Sequence, residues 1–598
     1  MGDFKNVIKT IDYSIKLVYK ASGLMVGVYF ILSIVSYSLA LLNTYTIKQI
    51  LDSATRSNTE TGPILVWVAV YMLLAIVTQA SISAQNVLYD SILKKSEHLY
   101  DCNLLSKLAT LPLSIMDSSD GRNKIDDVRH AAKTVIFATF RLVRIISLIY
   151  TFIAAFLVLA KFNLIFSMIF LILIIPGIVL QEFFNDKIEN LRLEQAPDVR
   201  KFCYYRWMLT DVWPSKDVRM YNLTDAIKSR YNEEKEQYLS ANKKLDKAKS
   251  LALVLSELLR RLGDILFTIF LIYKAMCGDI SIGDVSLYIG FSLEMSNAFH
   301  NVLFNSTIIC TVATKTTKRV LDFFEIKAEN DIKSCRKLTE FQSLEFRDVY
   351  FKYPHTDNYI MNGLSFTLRK NDKLSIVGIN GCGKSTIIKL MLGLYEIESG
   401  EILINNYSIY DYKKTEVRAL FSVLFQNYVQ YPLSLRENIA LSSIERIDSD
   451  REIITAQIQS GIYDDITRLL EDGLDSYMTR RFDDKGIELS KGQWQKIALS
   501  RAYFKDSPII ILDEPSAALD AESENRVFAN FESVSNKKTR ILISHRISTA
   551  RFSSKIIVID NGKVVEEGTH DELILHDGVY AKLYNLQREK YTIAESGE

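Results

Sequence analysis

Charge-free stretches set the pattern of the first half of the chain. Ala21–Ile47, Thr61–Tyr89 and Phe162–Gln181 hold 27, 29 and 20 residues without one charged side chain. A helix needs about 20 apolar residues to cross about 30 Å of hydrocarbon, so each stretch predicts a membrane span. Ile145–Ala160 is shorter, but Leu142 and Val143 extend it if Arg144 snorkels to the interface. Only Lys161 parts it from the next span, which predicts a hairpin with a tight turn there. Leu251–Cys277 and Val285–Thr314 are apolar but carry Glu257, Arg260, Arg261, Asp264, Lys274 and Glu294. Lipid cannot satisfy such groups, so these two spans must face protein or a water-filled cavity. The pattern predicts six spans, at 21–47, 61–89, 142–160, 162–181, 251–277 and 285–314.

Charge orients them. The connections Asp90–Phe140 and Glu182–Lys249 are long and rich in Lys and Arg, whereas Lys48–Glu60, Lys161 and Lys274–Asp284 are short and poor in base. The positive-inside rule places the long connections and both termini in the cytoplasm. With few helix breakers, those connections extend the spans as helices that turn near Leu113–Gly121 and Val212–Lys216. Lys5–Lys16 is amphipathic and reads equally as an interfacial helix or as a frayed start of the first span.

Glu325–Glu340 carries eight charges in 16 residues and reads as a polar linker. Beyond it short β-rich runs alternate with helical segments, the pattern of a parallel α/β sheet. Leu344–Tyr350, Lys373–Val377, Ile509–Leu512, Ile541–Ser544 and Lys555–Ile559 read as strands, and Ser385–Leu392 as a helix. Between strand and helix stands Gly378-Ile379-Asn380-Gly381-Cys382-Gly383-Lys384-Ser385, a G-x4-G-K-S phosphate-binding loop. Its glycines let backbone N–H groups close around phosphates, Lys384 supplies a cation, and the Ser385 hydroxyl can ligate Mg²⁺. Asp513 and Glu514 end the run Ile509–Leu512. Asp513 suits a metal held beside the loop, and Glu514 suits polarisation of an attacking water.

Composition removes other classes. With 48% hydrophobic and 24% charged residues the chain is neither disordered nor collagen-like. Lys and Arg total 72 against 71 Asp and Glu, so no global charge draws it to nucleic acid. The cysteines at 102, 203, 277, 310, 335 and 382 form no CxxC and no zinc spacing, which fits a reduced, cytosol-facing protein.

Further motifs are ordered around the loop: Leu424-Phe425-Gln426, then Leu489-Ser490-Lys491-Gly492-Gln493, then Ser516-Ala517-Ala518-Leu519-Asp520 and Ile543-Ser544-His545-Arg546. With the loop and Asp513-Glu514, this set resembles the ATP-binding cassette (ABC) family over nearly all of Leu344–Asn585. The arrangement of spans, with Ile282-Gly283-Asp284 before the last, resembles the exporters of that family. The resemblance implies a multidomain protein: an all-α six-helix transmembrane domain (1–324) with long cytoplasmic helical extensions, a linker (325–340), and an α/β P-loop nucleotide-binding domain (341–598).

It also implies residue roles. Tyr353 would stack on adenine. Gly378, Asn380, Gly381, Cys382, Gly383, Lys384, Ser385 and Thr386 would cradle ATP. Gln426, with Ser385 and Asp513, would hold Mg²⁺; Gln426, Glu514 and His545 would act in hydrolysis. Ser490, Gly492 and Gln493 of one copy would close on the nucleotide of another, with Asp520 reporting across the interface. One phosphate loop and one signature then imply a half-transporter that dimerises, as a homodimer or with a second half-transporter. The turns near Leu113–Gly121 and Val212–Lys216 would be the coupling helices.

Two departures stand out. Lys491 replaces the first glycine of the usual LSGGQ, and Arg481–Gly486 keeps an acid at Asp484 but lacks the earlier glycine of TxVGExG. Glu257, Arg260, Arg261 and Asp264, near the inner edge of the hydrocarbon, are candidate lining for a polar cargo, or pair with one another. Leu489–Ala498, with Trp494 and Lys496, is similar to exporters of lantibiotic-type modified peptides. About 20 residues before the first span leave no room for the leader peptidase some of those carry. The expectation is ATP-driven export from the cell membrane, with a peptide cargo, or else drugs or lipid. An ATP-gated channel is the reading from another class, and the intact Glu514 and His545 argue against it.

Overall fold

The computed structural model describes residues 2–55, 61–329, 336–354, 356–379, 381–515, 521–544, 550–551 and 553–595. They form two compact units, Met1–Ala109 with Asn123–Ile326, and Thr110–Arg122 with Lys327–Glu598.

The first unit is helical. Its long helices are α1 (Gly2–Thr55) and α2 (Thr61–Leu108). The helix α3 (Leu113–Asp117) groups with the second unit, and α4 (Ser119–Arg129) follows it. Next come α5 (Ala132–Phe162), α6 (Leu164–Glu194), α7 (Ala196–Thr210), α8 (Val212–Met220) and α9 (Thr224–Met276). Then comes α10 (Ile282–Ile308), continued by a π-helical turn, Ile309–Ala313, into α11 (Thr314–Phe324). Lys5–Thr55, Thr61–Leu108 and Ala132–Phe162 are long and apolar enough to cross a membrane by length and composition alone.

The packing shows why these helices need lipid. Leu24, Ile31, Leu65, Val66, Ile76 and Leu157 are all at least 60% exposed. Apolar patches of that extent are untenable in water. Between helices, polar bonds and small residues add to an apolar cluster that includes Leu41, Leu159, Phe267 and Phe291. Gln85 Nε2 donates to Ser36 Oγ (2.6 Å) and to the Leu32 carbonyl (3.2 Å), and Ser36 pairs with Ser81 (2.8 Å). Such bonds join α1 to α2 where hydrophobicity supplies no attraction. Gly283 explains the Ile282-Gly283-Asp284 sequence. A Cβ there would lie 2.3 Å from Asp52 Oδ1. Its N–H donates to that oxygen at 3.0 Å, while Asp284 caps α10 and pairs with Lys48 at 2.5 Å.

One detail differs from the sequence reading. The tight turn comes at Asn163, whose backbone is extended, two residues beyond Lys161. Lys5–Lys16 is helical, in the part of α1 that precedes its kink at Ser22. Ser14 in that stretch is buried, bonded to Val135 O and Thr139 of α5.

The second unit holds two sheets rather than the single parallel one. An antiparallel sheet has the order β2-β1-β4-β5, from β1 (Ser343–Phe351), β2 (Met361–Arg369), β4 (Ser399–Ile404) and β5 (Tyr407–Ser408). A six-stranded sheet has the order β10-β9-β3-β8-β7-β6. It comprises β3 (Lys373–Gly378), β6 (Phe421–Leu424), β7 (Ile509–Asp513), β8 (Thr539–Ile543), β9 (Lys555–Asp560) and β10 (Lys563–Gly568). All pairs except β9–β10 are parallel, and β7 and β8 are buried at every position, as central parallel strands should be. Open parallel sheets bind ligands beyond their carboxyl ends, and the phosphate loop, Asp513 and Gln426 all follow such ends.

Candidate functional site

The phosphate loop leaves β3 and enters the helix Lys384–Met391. At its N-cap Gly383 has φ +101°, and a Cβ would lie 2.2 Å from Met361 Cε, so glycine meets both demands. The Lys384 side chain is buried and donates to the carbonyls of Gly378 (2.8 Å) and Ile379 (2.9 Å). Those acceptors are neutral, and a bond between two ions is stronger, so the ammonium suits an anionic ligand such as a phosphate. Burial pushes the Cys382 thiol up, so it packs in the cassette core as an inert group.

Asp513 is 2% exposed. Burial pushes its pKa up; Ser385 and the Gln426 N–H favour the charged form, and Glu514 opposes it. Its Oδ1 has no hydrogen-bond partner among the described residues. An orphaned carboxylate oxygen beside a serine hydroxyl offers oxygen donors of the kind Mg²⁺ takes, so Asp513 and Ser385 fit that ion, and Gln426, whose Nε2 is given to Glu514, has its side-chain oxygen to add.

Glu514 follows at φ +53°, an unusual conformation for a residue with a side chain, costing about 1–3 kcal/mol. Three bonds hold it there. Its N–H donates to Ile543 O (2.9 Å), its carbonyl accepts from Gln495 Nε2 (3.1 Å), and its Oε2 accepts from Gln426 Nε2 (2.9 Å). Asn380, Asp520 and His545 lie outside the described residues.

Tyr353, just after β1, is half-buried. Its hydroxyl is 3.0 Å from Thr386 Oγ1 and accepts from Lys389 Nζ at 3.2 Å. Thr386 thus orients the tyrosine. In the signature, Ser490 caps the helix Lys491–Lys505 in a reciprocal box with Gln493. Gln493's side chain is therefore committed to the Ser490 N–H (2.9 Å), while the Ser490 hydroxyl, an acceptor there, keeps its hydrogen to donate. The Lys491 side chain is exposed, and its carbonyl accepts from Tyr428 Oη (2.9 Å). In Arg481–Gly486 the retained glycine is structural: a Cβ on Gly486 would lie 2.0 Å from Thr479 O.

The charged group on α9 pairs with itself. Arg260 Nε donates to Glu257 Oε2 (2.8 Å) and its Nη1 to Ser296 Oγ of α10 (2.7 Å). Arg261 reaches Glu257 at 3.2 Å and Asp264 at 3.7 Å. Arg260, Asp264, Phe267 and Leu271 share the inward stripe, whereas Leu262, Ile265, Leu266 and Ile269 are exposed. Both arginines thus lie near Glu257 and Asp264, while the two Asp264 oxygens are buried without a hydrogen bond among the described residues. Trp494 and Lys496 have structural partners too: Trp494 is 4% exposed in a core cluster, and Lys496 pairs with Asp465 at 2.6 Å. Gln495, Tyr428 and Lys389 carried no spacing signal; each acts through a partner distant in sequence.

Residues 26–299 match the ABC transporter transmembrane region, and residues 361–517 match the ABC transporter cassette. The subtilin transport ATP-binding protein of Bacillus subtilis is 32% identical over 71% of this chain and 70% of its own. The chain belongs to the ABC transporter family. This ABC transporter is also 24% identical to the nisin transport ATP-binding protein of Lactococcus lactis subsp. lactis, over 97% of this chain and 96% of that one. The lipid A-core flippase of Pseudoalteromonas translucida is 37% identical over 41% of each. In fold the transporter matches a bacterial Atm1-family ABC exporter with ATP bound, with a TM-score of 0.84 over 94% of this chain and 99% of that one at 21% identity. It is an ATP-hydrolysing membrane transporter with an exporter fold.

Proposed function

We propose that two copies of this chain clamp two ATP molecules between their cassettes, and that the closing pair drives export by alternating access. The observation that carries the reading is the Gln426–Glu514 hydrogen bond of 2.9 Å. It aims the carboxylate that polarises water while tying it to the segment that follows β6. Phosphoryl transfer is mostly positioning and charge neutralisation. Lys384 and the loop amides hold the triphosphate, and Glu514 orients the water. Ser385, Gln426 and Asp513 would hold Mg²⁺, which when bound would supply positive charge toward the phosphates. Ser490 donates its hydroxyl hydrogen, and Gly492 its N–H, to the other copy's γ-phosphate; His545 and Asp520 complete the site. ATP drives the cycle only as far as it binds the closed state better than the open one. Both termini and the cassettes face the cytoplasm, and a heterodimer is the alternative assembly.

The cargo is a peptide. The relatives named for subtilin and nisin transport match 71% and 97% of the chain, whereas lipid A-core flippases match 41% and 63%. In lipid vesicles a lantibiotic-type precursor peptide should stimulate ATP hydrolysis and lipid A should not; the reverse result rejects the peptide. Glu514→Gln should abolish turnover while retaining nucleotide binding. Hydrolysis at the wild-type rate in that variant rejects the role given to Glu514.

A further inference from the structure

The short helix α3 reaches the ring assigned to adenine through two side chains. Leu113 packs on the cassette core, and the Glu329 N–H donates to Thr110 O at 2.8 Å, so the segment is seated on its unit. At the end of α3 the Asp117 carboxylate accepts from the Tyr395 hydroxyl. The Tyr395 ring stands edge-on to Tyr353, with centroids 5.2 Å apart and planes at 87°. Phe351 closes the cluster, at 5.1 Å from Tyr353 and 5.8 Å from Tyr395. Lys389 lies over both tyrosines, 5.1 Å from Tyr353 and 5.8 Å from Tyr395. Its ammonium donates to the Tyr353 oxygen, which also shares a hydrogen bond with the Thr386 hydroxyl.

The cluster borders open space. A cavity of about 380 Å³ is lined by Pro112, Ser114, Tyr353, Tyr395 and Lys414, among others. The Tyr353 ring is therefore held by its aromatic neighbours and its hydroxyl rather than by close packing on every side. An edge-to-face pair fixes ring orientation beyond what contact area does. Tyr395 in turn has its orientation set by Asp117.

We propose that Asp117, acting through the Tyr395 hydroxyl, is a positioning residue for Tyr353, so that the seating of α3 tunes how tightly the cassette holds a purine. The inference rests on Tyr353 being the adenine-stacking residue. It concerns the base alone: the triphosphate is held by Lys384 and the loop, which touch neither Asp117 nor Tyr395 in this relay. Since α3 lies between α2 and α4 in the chain, the relay gives the membrane helices a hold on base affinity separate from the Gln426–Glu514 link.

The test uses the full chain in lipid, carrying Glu514→Gln so that nucleotide persists. ATP and inorganic tripolyphosphate are titrated, and their affinity ratio is read. Tyr395→Phe and Asp117→Ala should each lower the preference for ATP about threefold to tenfold, and Asp117→Glu should restore it. Tyr395→Phe should have no further effect once Tyr353→Ala is present. Parallel weakening of both ligands makes the relay merely structural and overturns the proposal. So does an unchanged ratio in Tyr395→Phe and Asp117→Ala when Tyr353→Ala lowers it. If Tyr353→Ala itself leaves the ratio unchanged, the stacking assignment fails first and the relay falls with it.

Discussion

Lys384 keeps its ammonium on two backbone carbonyls, and Asp513 keeps one carboxylate oxygen without a partner among the described residues. The two have opposite consequences. Lys384→Ala should weaken ATP binding about tenfold or more in a nucleotide titration, since an ion-to-ion bond is lost; unchanged affinity counts against its role. Asp513→Asn should raise the melting midpoint of the metal-free protein, because it removes a buried charge with an unmet bond. The same variant should lose the further rise that Mg²⁺ with ATP gives the wild type, measured by thermal unfolding with and without the pair. Both residues were legible from spacing, because the loop and a strand-end carboxylate are local patterns. Tyr395 was not: its partner Asp117 is 278 positions away, and no local period marks such a pair.

Among the elements, α10 shows how a small residue sets a helix contact. Gly283 brings α10 against the end of α1, with Asp52 and the Lys48 carbonyl where a Cβ would go. Gly283→Ala should cost about 1–3 kcal/mol by overpacking, read as a lower midpoint in detergent. On α9 the two arginines should separate: Arg260 has a side chain 8% exposed, Arg261 54%. Arg260→Ala strands Asp264 beside a lost cation and should destabilise by about 3 kcal/mol, whereas Arg261→Ala should change little. Equal effects would mean the pairing is not what holds α9 to α10. The long apolar helices Lys5–Thr55, Thr61–Leu108 and Ala132–Phe162 were legible because an apolar window of sufficient length has few alternatives. The turn moved from Lys161 to Asn163 because hydropathy marks a polar position but not the residue whose backbone leaves the helix.

For the whole molecule, a single copy carries one phosphate loop and one signature, so a two-sided nucleotide clamp needs a second chain. Glu514→Gln with Mg²⁺ and ATP should hold an assembly of two 68.4 kDa chains on a sizing column with mass detection; a single-copy mass under those conditions refutes the clamp. Period, charge-free length and fixed motif spacing are properties of neighbouring residues. By themselves they determined a helical membrane half, a parallel-sheet cassette, ATP chemistry and the family. Tertiary structure decided the rest: the second, antiparallel sheet, the Arg260–Ser296 bond between α9 and α10, the core role of Trp494, the grip of Gln426 and Gln495 on Glu514, and the seating of α3 with the cassette. The reason is physical. A hydrogen bond or ring contact depends on which surfaces meet after folding, and residues far apart in the chain leave no local trace of that meeting.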